Sequence, residues 1–235
     1  ILSAKNGEII AYEALMRSQL ATLKNPEMIL RIAREENKLE DVERICIFKS
    51  TETFDQLRKN KLVKEDALLF INSIASVSLN DEDHERFHCY FSHIQSQIVV
   101  EVTEEENMSE EALIRKRETK GFSGMFALDD YGSGYNTEIN LLNLSPKYIK
   151  IDLTIVRNID KDFDKQQLVS NIVEYAHQRE GYIIAEGIET KEELLKVLEL
   201  GVDYLQGYYL SYPQLNPQEV SNESIKTIEN YWKKR

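Results

Sequence analysis

Two adjacent aspartates, Asp129 and Asp130, directly follow a short apolar run, and Tyr131 separates them from a glycine-rich turn. Neighbouring side chains on a strand point to opposite faces, but a bend at the end of a strand allows both carboxylates to converge. Two carboxylates held close together repel each other unless a positive charge lies between them. Hard divalent cations such as Mg²⁺ take carboxylate oxygens as ligands, so this pair is a candidate metal-binding element.

Further polar residues follow other apolar runs at the same relative position, the carboxyl end of a predicted strand. They are Glu13, Asn72, Glu101, Lys150 with Asp152, Glu186 and Gln206. Oxygen ligands without histidine or cysteine favour Mg²⁺ or Mn²⁺ over zinc or copper. Two such ions bridged by one carboxylate would clamp the attacking water and the phosphate of an in-line displacement. An ammonium such as that of Lys150 would orient this water and stabilise charge on the phosphate.

Each of these residues also has a purely structural interpretation. Asp129 and Asp130 alone are typical of a solvated strand end or a helix cap, and Glu13 alone is typical of a surface charge. Lys150 alone is typical of a solvated lysine at the rim of a sheet. Only the recurrence of the pattern at successive strand ends favours chemistry, and this recurrence depends on where the strands end.

Short apolar runs alternate with helical segments along the chain. The runs end at Glu13 and cover residues 67–71, 98–100, 125–128, 148–151, 182–185 and 202–205. The helical segments begin at residue 25, cover residues 39–57, 81–94, 109–116, 139–144, 164–178 and 190–200, and begin again near residue 217. Continuous apolar runs are typical of a parallel sheet buried on both faces. With the N-terminal segment counted as a further strand, about eight strands can be placed, so we predict an α/β fold, a TIM-like (β/α)8 barrel with its strand ends on one face.

Composition limits the possible functions. The net charge of −12 argues against binding of polymeric nucleic acid, but a small phosphorylated ligand stays possible because bound metal ions reverse the local sign. No apolar run approaches the roughly 20 residues that span a bilayer. The chain lacks an initiator Met and a signal-peptide pattern. We therefore expect a cytoplasmic domain, residues 1–235, excised from a longer multidomain signalling protein that supplies any membrane contact.

The sequence elements at the strand ends resemble, in order, the signatures of the EAL domain family over essentially the whole chain. They are residues 13–17 (EALMR), 70–72 (FIN), 101–104 (EVTE), 129–134 (DDYGSG), 150–152 (KID), 185–189 (AEGIE) and 206–208 (QGY). Tyr131 and Ser133 replace the Phe and Thr of the family loop, and Ser73 and Ser18 are further departures. None of these changes removes a candidate ligand. The resemblance implies a TIM-like barrel with an irregular first strand.

The resemblance also implies an activity and a set of roles. A member of this family would hydrolyse cyclic di-GMP to linear pGpG with two Mg²⁺ or Mn²⁺ ions per site, and the larger Ca²⁺ would inhibit it. The implied metal ligands are Glu13, Asn72, Glu101, Asp129, Asp130 and Glu186, with Asp129 between both ions. Lys150, Glu13 and Glu186 would be catalytic, and Arg17, Leu15 and Gln206 would contact the substrate. Supporting residues would be Glu104, Asp152, Glu189, Gly132, Ser133 and Gly134.

Two alternatives to an active enzyme remain open at this point. In the family, the loop at residues 131–135, anchored by Glu104, couples metal binding to dimerisation, so a homodimer is expected. If the conformation of this loop or the dimer does not support catalysis, the domain would instead be a receptor that binds cyclic di-GMP but hydrolyses it poorly. A pure protein-interaction module would have lost ligands, and none is lost here.

Overall fold

The structure is a computed structural model of the 235-residue chain. It describes residues 1–18, 20, 23, 25–103, 125–133, 141–142, 144–217 and 219–235. The chain divides into two compact units. The C-terminal unit comprises Ile1–Ala11 and Phe126–Arg235, and the middle unit comprises Tyr12–Met125.

Strands and helices alternate along most of the chain, as the sequence pattern predicts. The strands among the described residues are β1 (Leu2–Ser3), β2 (Ala11–Ala14), β3 (Leu68–Asn72), β4 (Ile98–Thr103), β5 (Phe126–Tyr131), β6 (Tyr148–Ile151), β7 (Tyr182–Ala185) and β8 (Tyr204–Leu205). The α-helices there are α1 (Pro26–Glu35), α2 (Leu39–Lys59), α3 (Asp81–Phe91), α4 (Leu153–Val156), α5 (Phe163–His177), α6 (Lys191–Glu199) and α7 (Asn222–Lys233). Short 3-10 helices cover Gln95–Gln97 and Ile159–Lys161.

The C-terminal unit contains a sheet with the strand order β1-β8-β7-β6-β5. Strands β5 to β8 are parallel, with Lys150 of β6 opposite Ile184 of β7. The first strand, β1, runs antiparallel to β8, which is the irregularity expected of it. Ile183, Ile184 and Ala185 are all fully buried, so both faces of β7 are covered. This burial confirms the interpretation of continuous apolar runs as strands covered on both faces.

In the middle unit, β3 and β4 are parallel, and their register runs from Leu69 opposite Ile98 to Asn72 opposite Glu101. Helices α2 and α3 supply aromatic side chains to the core of this unit, and the rings of Phe48 and Phe87 meet edge to face at 5.4 Å. One hydrophobic cluster of this unit consists of the buried residues Ile47, Phe54, Val63, Ala67, Leu69, Ile71, Leu79, Phe87, Phe91, Ile94 and Ile98.

Side-chain caps decide where several helices begin. The Asn80 side chain accepts a hydrogen bond from the backbone N–H of Asp83 at 2.8 Å and opens α3. Ser221 caps α7 in the same way, so the terminal helix begins at Asn222 rather than near residue 217. A side-chain oxygen at this position satisfies an N–H group that has no partner within the helix, which favours a start at that residue.

Several predicted strand boundaries differ from the structure. Strand β5 continues through Asp129 and Asp130 to Tyr131 instead of ending at residue 128, β4 likewise includes Glu101, and β8 is limited to Tyr204–Leu205. Helix α4 was not predicted, because four residues are too few to show a helical period. The predicted helix at residues 109–116 and most of the one at residues 139–144 lie outside the described residues.

Among the helices of the described residues, none has the length and apolar content that crossing a bilayer requires.

Candidate active site

A distortion of β5 brings its two aspartates together. The pairing of β5 with β6 shifts register between Leu128 and Tyr131, and Asp130 has a φ of 56°. Such an irregularity re-aims a side chain that a regular strand would send to the opposite face. Carboxylate oxygens of Asp129, Asp130 and Glu186 accordingly lie within 4.8 Å of one another. The convergence of adjacent carboxylates that the sequence predicts is therefore present.

Lys150 lies at the centre of this carboxylate cluster. Its Nζ is 2.9 Å from Asp129 Oδ1 and 2.8 Å from Glu186 Oε1, and the side chain is only 1% exposed. The ammonium reaches this position because the neighbouring residues of β6, Ile149 and Ile151, are buried and hold the strand in the core of the unit. A buried charge is tolerated when it is paired and hydrogen-bonded, and both ion pairs meet that condition.

The cluster fits a divalent metal ion. Asp129, Asp130 and Glu186 offer three carboxylates, whereas Lys150 contributes one positive charge, so an excess of negative charge remains when all are ionised. Each carboxylate offers oxygen atoms only, which are the ligands that Mg²⁺ and Mn²⁺ prefer. A hard divalent cation would balance the remaining charge.

The middle unit carries the other predicted ligands at its own strand ends. Glu13 lies near the end of β2, Asn72 ends β3 and Glu101 lies on β4. The Asn72 amide donates to Glu13 Oε1 at 3.3 Å, and Asn72 is the register partner of Glu101. Glu101 is fully buried. Two carboxylates and one amide oxygen thus stand on three successive strands of this unit, again an all-oxygen set.

Two predicted site residues, Asp152 and Gln206, hold backbone segments beside the carboxylate cluster. Asp152 Oδ1 accepts from the backbone N–H of Thr154 at 2.8 Å and caps α4. The backbone N–H of Gln206 donates to the carbonyl of Ala185, and its carbonyl accepts from the N–H of Ile188. These bonds fix the segments that follow β6, β7 and β8.

Glu189 has an ion-pair partner that the sequence did not indicate. The Arg157 guanidinium lies 2.5 Å from Glu189 Oε2, and this hydrogen bond raises the pKa of Arg157. The pair joins the segment after α4 to the segment after β7. The two residues are far apart in sequence, so no local pattern could have predicted the contact.

The remaining predicted residues lie in loops. Leu15 and Arg17 are exposed beyond β2, and the Arg17 guanidinium donates to the carbonyl of Met16 at 2.8 Å. In the loop after β5, the Ser133 hydroxyl and backbone N–H both donate to the carbonyl of Asp130. Glu104 and Gly134 lie outside the described residues.

Glu193 is a buried residue that belongs to none of the sequence elements above. Its carboxylate accepts hydrogen bonds from the backbone N–H groups of Asn158, Glu189 and Thr190 at 2.9–3.0 Å. Burial alone would raise the pKa of Glu193, but these hydrogen bonds lower it. The spacing Thr190-x-x-Glu193 is the signature of a capping box, so half of this network could have been found from sequence.

A second buried carboxylate, Glu43 of α2, holds the loop after β3. It accepts hydrogen bonds from the Ser73 hydroxyl and, at 2.8 Å, from the backbone N–H of Ile74. Ser73 directly follows the candidate ligand Asn72, so Glu43 fixes the chain just beyond it. No sequence signal links a residue in the middle of a helix to this loop.

Comparison with known proteins places this geometry in a family. The EAL domain family matches residues 1–213 of the chain. The chain is similar to the cyclic di-GMP phosphodiesterase PdeF of Escherichia coli K12, with 33% identity over 120 residues. This alignment spans 50% of the chain but only 16% of PdeF, so the chain matches a small part of that relative.

Solved structures share the fold. A standalone versatile EAL protein from Vibrio cholerae O395, in its c-di-GMP-bound form, is 23% identical with a TM-score of 0.77, covering 95% of this chain and 93% of that one. A manganese and cyclic di-GMP complex of BlrP1 from Klebsiella pneumoniae is 23% identical with a TM-score of 0.72, covering 90% and 54%. These similarities confirm the predicted TIM-like α/β fold class.

Proposed function

Since the chain belongs to the EAL domain family, we propose that it is a phosphodiesterase that hydrolyses cyclic di-GMP to linear pGpG. The observation that carries the proposal is the carboxylate cluster of Asp129, Asp130 and Glu186 with Lys150 buried at its centre. The name of the E. coli relative and the ligand of the Vibrio structure support the choice of substrate.

The oxygen-rich donor sets support two Mg²⁺ or Mn²⁺ ions. Asp129, Asp130 and Glu186 would hold one ion. The other would be held by Glu13, Asn72, Glu101 and Asp129. The manganese complex of BlrP1 supports this choice of metal. When bound, such ions lower the pKa of a coordinated water and neutralise charge on the phosphate.

Hydrolysis adds one water across a phosphodiester bond. The water oxygen bonds to phosphorus, the bond from phosphorus to the ribose 3′ oxygen breaks, and that oxygen takes up a proton to give the 3′ hydroxyl of pGpG. Glu13 and Glu186 are the carboxylates that would accept the proton of the water. Lys150 would orient the water and stabilise the negative charge that develops on the phosphate. Its burial keeps the ammonium in a fixed place before the substrate arrives.

Substrate contacts would come from the loops beside the strand ends. Arg17, with an exposed guanidinium, would pair with a phosphate of the substrate, because this group matches phosphate oxygens in two hydrogen bonds. Leu15 would pack against the ligand, and Gln206 would offer its amide. The domain would act as a homodimer within a longer cytoplasmic signalling protein, with Glu104 anchoring the loop at residues 131–135.

Incubation with cyclic di-GMP and Mg²⁺, with the product followed by chromatography, tests the proposal. We expect pGpG to accumulate, and a chelator to stop it. Tight binding of cyclic di-GMP without pGpG would instead identify a receptor. The absence of both binding and product would contradict the assignment of cyclic di-GMP as the ligand.

A further inference from the structure

Helix α4 packs against two loops at distances that only glycine allows. A Cβ atom added to Gly132 would lie 2.1 Å from Ile155 Cδ1, and one added to Gly187 would lie 2.4 Å from Leu153 Cβ. Both glycines have positive φ angles, of 100° and 65°. The helix therefore touches the backbone of the loop after β5 and the backbone of the loop after β7.

These two contacts join the helix to the carboxylate cluster. Gly132 is the second residue after Asp130, and Gly187 directly follows Glu186. Helix α4 itself begins just after Lys150 and its neighbours on β6. One short helix thus adjoins every chain segment that supplies a charged group to the cluster.

Both ends of α4 are fixed by side chains, which gives it a defined position. Asp152 caps its first turn, and Lys165 of α5 donates from Nζ to the carbonyls of Thr154 at 2.6 Å and Arg157 at 2.8 Å. A helix of four residues has no stability of its own in water, so these bonds and its packing must hold it in place. Val156 is fully buried, and this packing also holds the helix in place.

We propose that Leu153 and Ile155 are positioning residues that set the distance between the ends of β5 and β7. The helix acts as a spacer between Gly132 and Gly187, and its thickness determines how closely Asp130 and Glu186 approach. The spacing of the two loops is inferred from these contacts alone. Its consequence for metal binding rests on the proposed function.

The first test measures the loops without metal or substrate. Amide hydrogen exchange of metal-free Ile155→Ala is compared with that of Ile172→Ala, which removes the same atoms from a matched site on α5, since the two side chains are 6% and 5% exposed. We expect exchange about tenfold faster at residues 129–133 and 186–189 in Ile155→Ala only. Ile155→Val, which keeps most of the side chain, should restore much of the protection and serves if the alanine variant does not fold.

The second test measures Mn²⁺ affinity by calorimetry in Gly187→Ala and Gly201→Ala. Gly201 also has a positive φ, of 83°, but a Cβ there would make an ordinary 3.6 Å contact with Val173. Both variants carry the strain of a positive φ, whereas only Gly187→Ala displaces α4. We expect Mn²⁺ to bind about tenfold more weakly to Gly187→Ala, with Gly201→Ala unchanged.

The outcomes separate this inference from the proposed function. If the wild-type protein binds no Mn²⁺, the proposed function fails, and the exchange comparison still decides whether α4 is a spacer. Equal exchange in the Ile155 and Ile172 variants at both loops would overturn the inference. Equal Mn²⁺ affinity in the two glycine variants, with Mn²⁺ bound by the wild-type protein, would overturn its consequence for the metal site.

Discussion

Lys150 carries a positive charge although its side chain is almost fully buried. A lysine is almost never fully buried unless it is paired, and the two ion pairs of Lys150, with Asp129 and Glu186, provide that pairing. Because breaking a buried pair leaves an uncompensated charge, the three groups depend on one another. The ammonium balances part of the negative charge of these carboxylates, and a metal ion would balance the rest.

Replacing Lys150 by Met keeps the side-chain length and removes the charge. We expect metal-free Lys150→Met to be less stable than the wild-type protein by about 3 kcal/mol, because two carboxylates then face each other without a cation. Mn²⁺ should recover more stability in this variant than in the wild-type protein. Urea unfolding with and without Mn²⁺ measures both effects.

The matched control is Lys161→Met, because the Lys161 side chain is 75% exposed. This exposed substitution should change neither stability nor the response to Mn²⁺. Wild-type stability in metal-free Lys150→Met would show that the carboxylates do not need the ammonium.

The residue types at the candidate site could be predicted from sequence, but their partners could not. Asp129, Lys150 and Glu186 stand out because each lies at the carboxyl end of an apolar run. The ion pairs among them join three separate strands, and only the parallel order of β5, β6 and β7 brings these strands side by side. Glu43 gave no signal at all, because a carboxylate within a helix is ordinarily solvated.

At the scale of elements, the strand cores were predictable and their ends were not. A continuous apolar run identifies β5, yet the strand continues beyond the run to Tyr131 and includes Asp130, whose φ is positive. The same stretch shows a register shift in the pairing of β5 with β6, which a single-sequence pattern does not contain. Thr190 was recognisable as a helix cap, whereas the reach of Glu193 to Asn158 is a tertiary contact.

The capping network of Glu193 predicts a pH dependence of stability. Burial opposes the charged form, but backbone hydrogen bonds outweigh it and lower the pKa of Glu193 in the folded state. A carboxyl group with a lowered folded pKa contributes stability that is present above its unfolded pKa and lost as the pH falls through the folded value. The wild-type protein should therefore exceed Glu193→Gln by about 2 kcal/mol at neutral pH.

This stability difference should shrink as the pH falls below about 4.3, where an unfolded glutamate begins to bind its proton. Urea unfolding of both proteins across this range provides the measurement. A difference that grows as the pH falls would contradict the lowered pKa of Glu193.

At the scale of the whole molecule, the order of the motifs predicted the family because every motif falls at a strand end. The division into two compact units was not predictable, since the sequence shows no linker or change of composition at residues 11–12 or 125–126. The net charge of −12 makes divalent cations favourable partners for the chain. We therefore expect divalent ions to change the stability of the whole folded chain.

Divalent metal should stabilise the folded chain by mass action. At a Mn²⁺ concentration of about 100 times its Kd, we expect a gain of about 2.7 kcal/mol, which a chelator reverses. For a chain of this size, this gain raises the melting temperature by about 5–10 °C. Ca²⁺ should also stabilise the protein but stop turnover, because its larger size loosens the coordination. A melting temperature that none of these ions changes would contradict the metal assignment.

The rate of cyclic di-GMP conversion to pGpG, measured for the wild-type protein, Lys150→Met and Lys161→Met with Mg²⁺, tests the central claim most directly. We predict that Lys150→Met lowers the rate by about 10²–10⁴-fold, as expected for loss of a group that takes part in proton transfer or charge stabilisation. Lys161→Met should retain the wild-type rate. Equal rates for all three proteins would contradict the assignment of the Lys150-centred cluster as the site of hydrolysis.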